Sequence, residues 1–379
     1  MDFELSPELK EFQQSVRAFA EREIAPVVEE SERLQRTPRD LFRKAGAAGF
    51  LGLRYPVEVG GAGAGMIAEM TLRKELSRVC AGIASALSVS SHLGSYPIFA
   101  FGNDDQISRW LKPILLGEKV TCFGLTEPGA GSDVRGIKTR ATRTDKGWVL
   151  NGRKTFITNG PFCDLAIIVA YVDPEAGIDG IALFVVEQGA AGFDSSHRLE
   201  KMGHLSSEIG ELILDSVEVP AENLLGPERG GFHRVMETLN GGRIVVAGGS
   251  IGVAEAALEA GVRYSGEREA FGRKIEDFQA VRHKLADAAV DLQAARLMTG
   301  WAASLYDAGK KPTWQASMAK LYASEMVLRV TDQMIRLFGG YGYIREFPIE
   351  RFYRDARMFN IVEGVSDIHR NIIGGSLNG

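Results

Sequence analysis

The carboxylate in this sequence with the clearest potential for chemistry is Glu363. It stands among apolar residues and directly before Gly364, in the segment 361–366. Burial of such a segment would raise the pKa of the carboxyl group by desolvation, which suits a general base that works near neutrality. A single glutamate is more often a surface charge, so Glu363 indicates a base only together with other signals.

Two segments in the middle of the chain could bind a flat, polar ligand. Residues 126–133 read Thr-Glu-Pro-Gly-Ala-Gly-Ser-Asp, which predicts a tight turn with exposed backbone N–H groups and flanking hydroxyls. Phe156 and Thr158 are two positions apart, so on a strand a ring and a hydroxyl share one face. An ordinary Gly-rich turn and a core strand are the alternative interpretations.

Two later segments could hold phosphate. Arg268, Phe271 and Gln279 lie between two predicted helices, where they could grip a phosphate and stack on an adenine. The segment 338–343 is rich in glycine, which lets a backbone approach a pyrophosphate closely. A solvated charged loop and a helix end would have the same composition.

The bulk composition excludes several classes of protein. The chain has 379 residues, of which 45% are hydrophobic and 25% charged, and two or three domains are expected. Its net charge of -5 gives no sign of a nucleic-acid partner. Cys80, Cys122 and Cys163 are scattered, which predicts buried thiols and no metal site.

The chain shows no targeting or membrane signal, so a cytoplasmic location is expected. Residues 1–5 lack the basic flank and apolar stretch of a signal peptide. No apolar run is expected to reach the length that crosses a membrane.

The spacing of apolar residues divides the chain into three regions, which are helical, β and helical in that order. In the first, residues 1–118, Ser6-Pro7-Glu8 predicts a helix start and Pro26 its end. In the second, 119–228, Asn151-Gly152 predicts the turn of a hairpin, and short β-branched runs predict further strands. In the third, 229–379, three long helical runs predict a bundle.

Taken together, these segments resemble the acyl-CoA dehydrogenase family over essentially the whole chain. The most specific matches are residues 125–133 and Arg354-Asp355-Ala356 with Glu363-Gly364. The resemblance implies a mostly α fold with an N-terminal helical domain, a small β-barrel-like middle domain and a C-terminal four-helix bundle. It also implies FAD as the cofactor and a homotetramer or homodimer as the assembly.

The resemblance further implies a role for each matched residue. Glu363 would take the α-proton of an acyl thioester while the β-hydrogen passes to flavin N5, and the Glu363 backbone N–H would help to hold the thioester carbonyl. Substrate contacts would come from Ser132, Asn240, Arg243 and Gly364. FAD contacts would come from Leu125, Thr126, Gly131, Ser132, Phe156, Thr158, Arg268, Phe271, Gln279, Arg336, Gly340, Val365 and Asp367, some of them on a neighbouring subunit's FAD.

Several departures from the family pattern bear on the reaction. Some relatives carry the base on the helix before the matched arginine, but Gly242 stands there, which leaves Glu363 as the base. Phe156 replaces a typical Trp, so oxygen access could differ, and an oxidase or monooxygenase is one alternative. A carrier protein could replace CoA. A non-catalytic scaffold is a further alternative.

The resemblance leaves the acyl group and the electron acceptor open. Ser88, Ser91, Ser95 and Tyr96 indicate a short or polar acyl group. Electrons would pass to an electron-transferring flavoprotein or another acceptor.

Overall fold

Helices form the first region of the computed structural model, which describes residues 5–377; residues 1–4, used above for the targeting prediction, lie outside that range. Ser6 caps the first helix, since its Oγ accepts a hydrogen bond from the Leu9 N–H at 3.3 Å, and Pro7 follows at the first helical position. The predicted helix start is therefore confirmed. The helices are α1 (Pro7–Phe19), α2 (Val28–Leu34), α3 (Asp40–Ala47), α4 (Gly65–Val79), α5 (Ala81–Ser88), α6 (Tyr96–Phe101), α7 (Asp104–Gln106) and α8 (Lys112–Leu115).

The prediction that Pro26 ends the first helical run is wrong. A π-helical turn over Ala20–Ile24 and a 3-10 turn over Ala25–Val27 carry the chain directly into α2. Pro26 stands near the start of the 3-10 turn, where its missing N–H breaks no helical hydrogen bond.

The second region is a seven-stranded mixed sheet. Its order is β1-β4-β2-β3-β7-β6, with β5 antiparallel to β4 and β1 parallel to β4. Every residue of β4 is buried, as expected of an apolar strand that is covered on both faces. The strands are β1 (Thr121–Gly124), β2 (Arg140–Thr144), β3 (Gly147–Thr158), β4 (Leu165–Tyr171), β5 (Ile181–Glu187), β6 (Phe193–Asp194) and β7 (Ile209–Pro220).

The prediction of a hairpin turn at Asn151-Gly152 is wrong. These residues lie inside β3, which continues to Thr158, and the register against β7 shifts there, as in a β-bulge. The hairpin between β2 and β3 turns instead at residues 145–146, because Thr144 pairs with Gly147. Gly152 is needed for close packing, since a Cβ there would overlap the side chain of Thr139.

The third region is helical again, as predicted. Its longest helix, α9 (Gly231–Glu267), packs against α4, α10 and α11. The buried core between them is rich in alanine and glycine, which lets the helices approach closely. The remaining elements are the small hairpin of β8 (Glu269–Ala270) and β9 (Arg273–Lys274), then α10 (Gln279–Asp307), α11 (Thr313–Phe338), α12 (Ile349–Phe359) and α13 (Ser366–Leu377).

Helix α9 changes one expectation about membranes. Within residues 5–377 it is the one helix long and apolar enough to cross a bilayer, contrary to the prediction that no run reaches that length. Its most apolar 18-residue window is 83% buried inside the fold. Its apolar side chains are therefore already covered by other parts of the protein.

Candidate active site

A cavity of about 600 Å³ opens between the middle sheet and the surrounding helices. Its wall combines parts of the chain that are far apart in sequence, and most of the side chains in it are apolar. The lining residues are Arg73 and members of the segments 85–93, 123–135, 156–158, 232–246 and 358–372. A deep apolar cavity with a few convergent polar groups is the usual form of a small-molecule site.

Glu363 lies in this cavity, on the connection between α12 and α13. Its backbone has φ +55°, a left-handed conformation that costs energy for a residue with a side chain. The carboxylate rests against Gly242 of α9, where a Cβ would overlap both of its oxygens. Its Oε2 is buried and has no hydrogen-bond partner within the described chain. The connection therefore presents an unpartnered carboxylate to the cavity.

Burial sets the protonation of this carboxyl group. It raises the pKa of Glu363 to about 7, while the positive charges of Arg243, Lys320 and Arg73 oppose the rise. Arg243 is itself buried and donates a hydrogen bond to Asn240 Oδ1 at 2.9 Å. A carboxyl group with a pKa near 7 can take up or release a proton at neutral pH.

Two side chains that the sequence reasoning missed hold the connection around Glu363. Lys320 of α11 is fully buried, and its Nζ donates to the Gly364 carbonyl oxygen at 2.7 Å. The Nε2 of His369 lies 3.0 Å from the same oxygen. Burial lowers the pKa of Lys320 to about 8 and that of His369 to about 3, so His369 is neutral near pH 7. The signal for Lys320 was its helical spacing from the buried Ala316 and Ala323.

The Gly-rich segment after β1 forms a tight turn beside the cavity, as predicted. Glu127 and Ala130 exchange two backbone hydrogen bonds across Pro128-Gly129. A third residue that the sequence analysis missed, Lys154, holds this turn in place. It is fully buried, and its Nζ lies 2.7 Å from Glu127 Oε1 and 3.2 Å from the Leu125 carbonyl oxygen. Leu125, Thr126, Gly131 and Ser132 all line the cavity next to this turn.

Phe156 and Thr158 both line the cavity, at the end of β3. Phe156 has φ +59° and stands where the register between β3 and β7 shifts, and its side chain is 65% exposed. The bulge thus turns an aromatic ring away from the core. The two side chains share the cavity as their spacing predicts, with Ile157 between them buried in the core.

The other candidate residues fall into three groups: those that line the cavity, those that lie near it without lining it, and those that lie outside it. Val365, Arg243 and Gly364 line the cavity with Glu363. Asn240 does not line it, but accepts a hydrogen bond from Arg243. Asp367 is exposed and pairs with Arg370 at 2.9 Å. Ser88 lines the cavity, but Ser95 bonds to Tyr55 and Tyr96 bonds to Glu237, so these two do not line it.

The third group lies outside the cavity, at one end of the bundle, and we call it the outer strip. It comprises Arg268, Phe271, Gln279, Arg336 and Gly340, all of them exposed. Phe271 is 96% exposed with φ +54°, at the tip of the β8–β9 hairpin. The Arg268 guanidinium lies 5.8 Å from the Tyr341 ring centroid, which brings the two predicted phosphate segments together. Arg336 pairs with Asp332.

Strained backbone marks both groups of residues. Seven non-glycine residues within 5–377 have positive φ, and Glu363, Phe156 and Phe271 are three of them. Such conformations persist where the surrounding structure enforces them, and they concentrate at functional sites. The cavity and the outer strip are therefore two of the places within residues 5–377 where the fold holds a residue in a backbone conformation that it disfavours.

Comparison with known proteins gives one consistent result. Models of acyl-CoA dehydrogenases match the chain with their N-terminal domain over residues 6–118, their middle domain over 122–217 and their C-terminal domain over 229–377. The caffeyl-CoA reductase-Etf complex subunit CarC of Acetobacterium woodii is 41% identical, and the match covers 98% of each chain. The short-chain specific acyl-CoA dehydrogenase of Clostridium acetobutylicum is 38% identical, with both chains covered completely.

Solved structures agree with the sequence matches. The structure of butyryl-CoA dehydrogenase from Megasphaera elsdenii superposes with a TM-score of 0.97 at 39% identity, over all of both chains. The similarity therefore extends through all three regions of the fold and includes the cavity.

Proposed function

Because the chain belongs to the acyl-CoA dehydrogenase family of FAD-dependent oxidoreductases, we propose that it oxidises an acyl thioester to the 2-enoyl thioester, with Glu363 as the base. The observation that carries this proposal is the buried, unpartnered carboxylate of Glu363 in a cavity of about 600 Å³. A base there must be unpaired, because a salt-bridged carboxylate would take up protons only at low pH.

The residues around the cavity fit a flavin. A Cβ added at Gly129 or Gly131 would meet nothing within 4 Å, so the turn after β1 offers open backbone to a ligand. Phe156 and Thr158 supply a ring and a hydroxyl on the neighbouring wall. We assign the flavin contacts to these residues together with Leu125, Thr126, Ser132 and Val365. When bound, the flavin accepts the β-hydrogen of the substrate as hydride.

Proton transfer, positioning of the base and stabilisation of the thioester oxygen are carried out by groups of this chain. Glu363 takes the α-proton, and its carboxyl group becomes neutral, which its buried position favours. The Lys320 bond to the Gly364 carbonyl keeps the connection, and thus the base, in place. The Glu363 backbone N–H stabilises the negative charge that develops on the thioester oxygen. Arg243 contacts the thioester side of the substrate, and Asn240 orients Arg243 by accepting a hydrogen bond from its guanidinium.

The same arrangement also serves the reverse reaction. A relative that is 41% identical is named as a subunit of a caffeyl-CoA reductase-Etf complex, which supports testing the reverse direction. With a pKa of about 7, Glu363 is protonated in part of the molecules at neutral pH and could return the proton to the α carbon. We propose dehydrogenation as the physiological direction, and enoyl thioester added to dithionite-reduced protein measures the reverse rate.

The outer strip supports a proposal about assembly. Its exposed Arg268, Phe271 and Gln279 have few partners in their own chain, so we propose that they contact the FAD of a neighbouring subunit in a homotetramer or homodimer, with Arg336 and Gly340 beside them. We further propose an electron-transferring flavoprotein as acceptor, as the name of the relative's complex suggests.

The test uses the FAD-loaded protein under anaerobic conditions. Mixing it with a panel of acyl-CoA thioesters should bleach the flavin, and Glu363→Gln should slow that bleaching roughly 10²–10⁴-fold because it removes the base. FAD content should stay unchanged. Glu58→Gln, at an exposed glutamate remote from the cavity, is the matched control.

Three outcomes would change the proposal. If Glu363→Gln reduces its flavin as fast as the unchanged protein, the base is elsewhere. If the same acyl group bleaches the flavin faster when it is attached to a carrier protein than when it is attached to CoA, the natural substrate is the carrier-protein thioester. Stoichiometric hydrogen peroxide during aerobic turnover would indicate an oxidase, for which the exposed Phe156 is the one structural argument.

A further inference from the structure

Arg73 is a buried cation on the wall of the cavity, and the mechanism above gives it no task. It lies on α4 with 4% of its surface exposed, next to Ser85 and Ser88. Its Nη2 donates a hydrogen bond to Ser85 Oγ at 2.7 Å. Its Nε and Nη1 are buried and have no partner within residues 5–377. Buried polar groups are nearly always satisfied, so this guanidinium indicates an acceptor that the chain does not supply.

The carboxyl groups of the described chain do not neutralise Arg73. None lies within the 4.0 Å of an ion pair, although Glu69, one turn away on α4, and Glu363 are near enough to influence its pKa. Burial lowers the pKa of Arg73 to about 10, so the guanidinium is charged at neutral pH. Burial raises the pKa of Glu69 and of Glu363 to about 7, so both are only partly ionised there.

The charged groups on and just behind this wall of the cavity are mostly positive. Arg73, Arg243 and Glu363 line the cavity, while Arg54, Lys320 and Glu69 lie behind the wall and act electrostatically on these groups or on one another. The neighbouring His92, His204 and His369 are neutral, because burial lowers their pKa values. Four cations against two partly ionised carboxyls favour an anionic ligand group.

The packing of Arg73 fixes the direction in which it can donate. Its Nε rests over Gly249 of α9, where an added Cβ would lie 3.0 Å away. Its Nη2 is held by Ser85 on the other side. Nη1 is then the nitrogen left to meet a ligand, and the guanidinium is positioned before any ligand arrives.

We propose that Arg73 binds a carboxylate at the far end of the acyl group, so that the substrate is a monothioester of a short dicarboxylic acid. Arg73 and Glu363 line one cavity, so an acyl chain whose α carbon meets Glu363 can extend towards Arg73. A guanidinium and a carboxylate form strong, directional hydrogen bonds, which makes Arg73 a specificity-determining residue. This inference rests on the proposed function, because Glu363 sets the position of the α carbon.

The first experiment compares thioesters of equal length that end in a methyl group or in a carboxylate. The pairs are butyryl with succinyl, valeryl with glutaryl, and hexanoyl with adipyl, each added anaerobically to FAD-loaded protein. We expect the carboxylate member of at least one pair to bleach the flavin with the higher kcat/KM, by tenfold or more. A methyl preference at every length would overturn the inference.

The second experiment changes the guanidinium. Arg73→Met keeps the apolar stem and should lower kcat/KM for the carboxylate substrate roughly 10²–10³-fold, because it leaves a buried charge unpaired. With the methyl-ended partner the loss should stay within about tenfold, because the change raises the pKa of Glu363 but removes no contact with the substrate. Arg73→Lys should recover part of the loss on the carboxylate substrate. Equal losses on both substrates would mean that Arg73 only supports the fold, for example by pairing with Glu69.

A binding measurement separates recognition from chemistry. In Glu363→Gln protein, which is expected to bind substrate without turning it over, flavin absorbance reports the dissociation constant of each thioester. Glu69→Gln removes the competing carboxyl and should tighten binding of the carboxylate-ended ligand several-fold. If Arg73→Met does not fold, the selectivity of the unchanged chain and the Glu69→Gln result still decide.

The two proposals fail in distinguishable ways. If no thioester bleaches the flavin, the proposed function is wrong. If methyl-ended thioesters bleach it and carboxylate-ended ones do not, the dehydrogenase proposal stands and the assignment of Arg73 is wrong.

Discussion

The cavity and the outer strip place similar residue types in opposite surroundings. Around Glu363, charged side chains are buried, lose or gain protons at unusual pH, and are held by bonds within the chain. In the outer strip, Arg268 and Phe271 are exposed, and their ring contacts are with Tyr341 and Phe278 respectively. One chain therefore buries and holds its proposed base by itself, whereas the residues of the outer strip remain exposed, as the proposed contact with a neighbouring subunit requires.

The largest effect in the cavity is expected from adding a single methyl group beside Glu363. Gly242→Ala places a Cβ where the Glu363 carboxylate now lies, so the base must move away. Flavin reduction should slow roughly 10²-fold or more, as when a base is misplaced. Alanine is the better helix former by about 1 kcal/mol, so thermal stability should not fall in parallel.

The matched control for this change is Gly300→Ala. Gly300 lies in α10, and a Cβ there would meet nothing within 4 Å. Its rate of flavin reduction should equal that of the unchanged protein. Equal rates for both variants would mean that the contact between α9 and the carboxylate does not position the base.

Removing Lys320 should have the next largest effect. Its charge lowers the pKa of Glu363, so Lys320→Met should raise that pKa and shift the acidic limb of the kcat/KM profile to higher pH. The rate at pH 7 should fall about tenfold, and recover in part at pH 9. The pH profile of Lys284→Met, at an exposed lysine of α10, should stay unshifted.

The outer strip should respond in the opposite manner. Phe271→Ala should weaken FAD binding about tenfold, or shift the assembly towards smaller species, as loss of a stacking side chain does. The rate of flavin reduction per bound FAD should stay within twofold. Titration with FAD and size-exclusion chromatography measure both. If Phe271→Ala slows flavin reduction and leaves FAD affinity unchanged, the outer strip takes part in the chemical step, which contradicts its separation from the cavity.

The smallest expected effect concerns stability. Burial raises the folded-state pKa of Glu363 from 4.5 to about 7, so the group favours the folded state below pH 4.5 and loses that contribution as pH rises through about 7. Glu363→Gln does not titrate. The variant should therefore gain stability relative to the unchanged chain between pH 5 and 8, measured by urea unfolding. No change in that difference with pH would mean that the carboxylate is well solvated.

Much of the fold could be predicted from local patterns. The helix cap at Ser6, the three long C-terminal helices and strands β4, β5 and β7 each follow from spacing and turn residues. The errors arose where a distant residue decides: Gly152 reads as a turn, but it is required by the packing of Thr139. Likewise, a π-helical turn lets the chain pass Pro26, which no local rule indicates.

The candidate site divides in the same way. Glu363 could be proposed from its neighbours along the chain, and the residues 125–132 from their turn chemistry. Lys320, Lys154 and Arg73 could not, because their importance comes from being buried beside groups that are distant in sequence. A single lysine or arginine at an otherwise apolar position of a helical pattern is the sequence signal for such a buried cation.

The buried contact between Lys154 and Glu127 has a consequence for the protein without its cofactor. Because this ion pair and the backbone bonds across Pro128-Gly129 are complete within the chain, the turn needs no flavin to keep its shape. Amide hydrogens of Glu127 and Ala130 should exchange slowly with deuterium even after the flavin is stripped. When FAD binds again, this turn is already in its bound shape, so little conformational entropy of the turn is lost on binding.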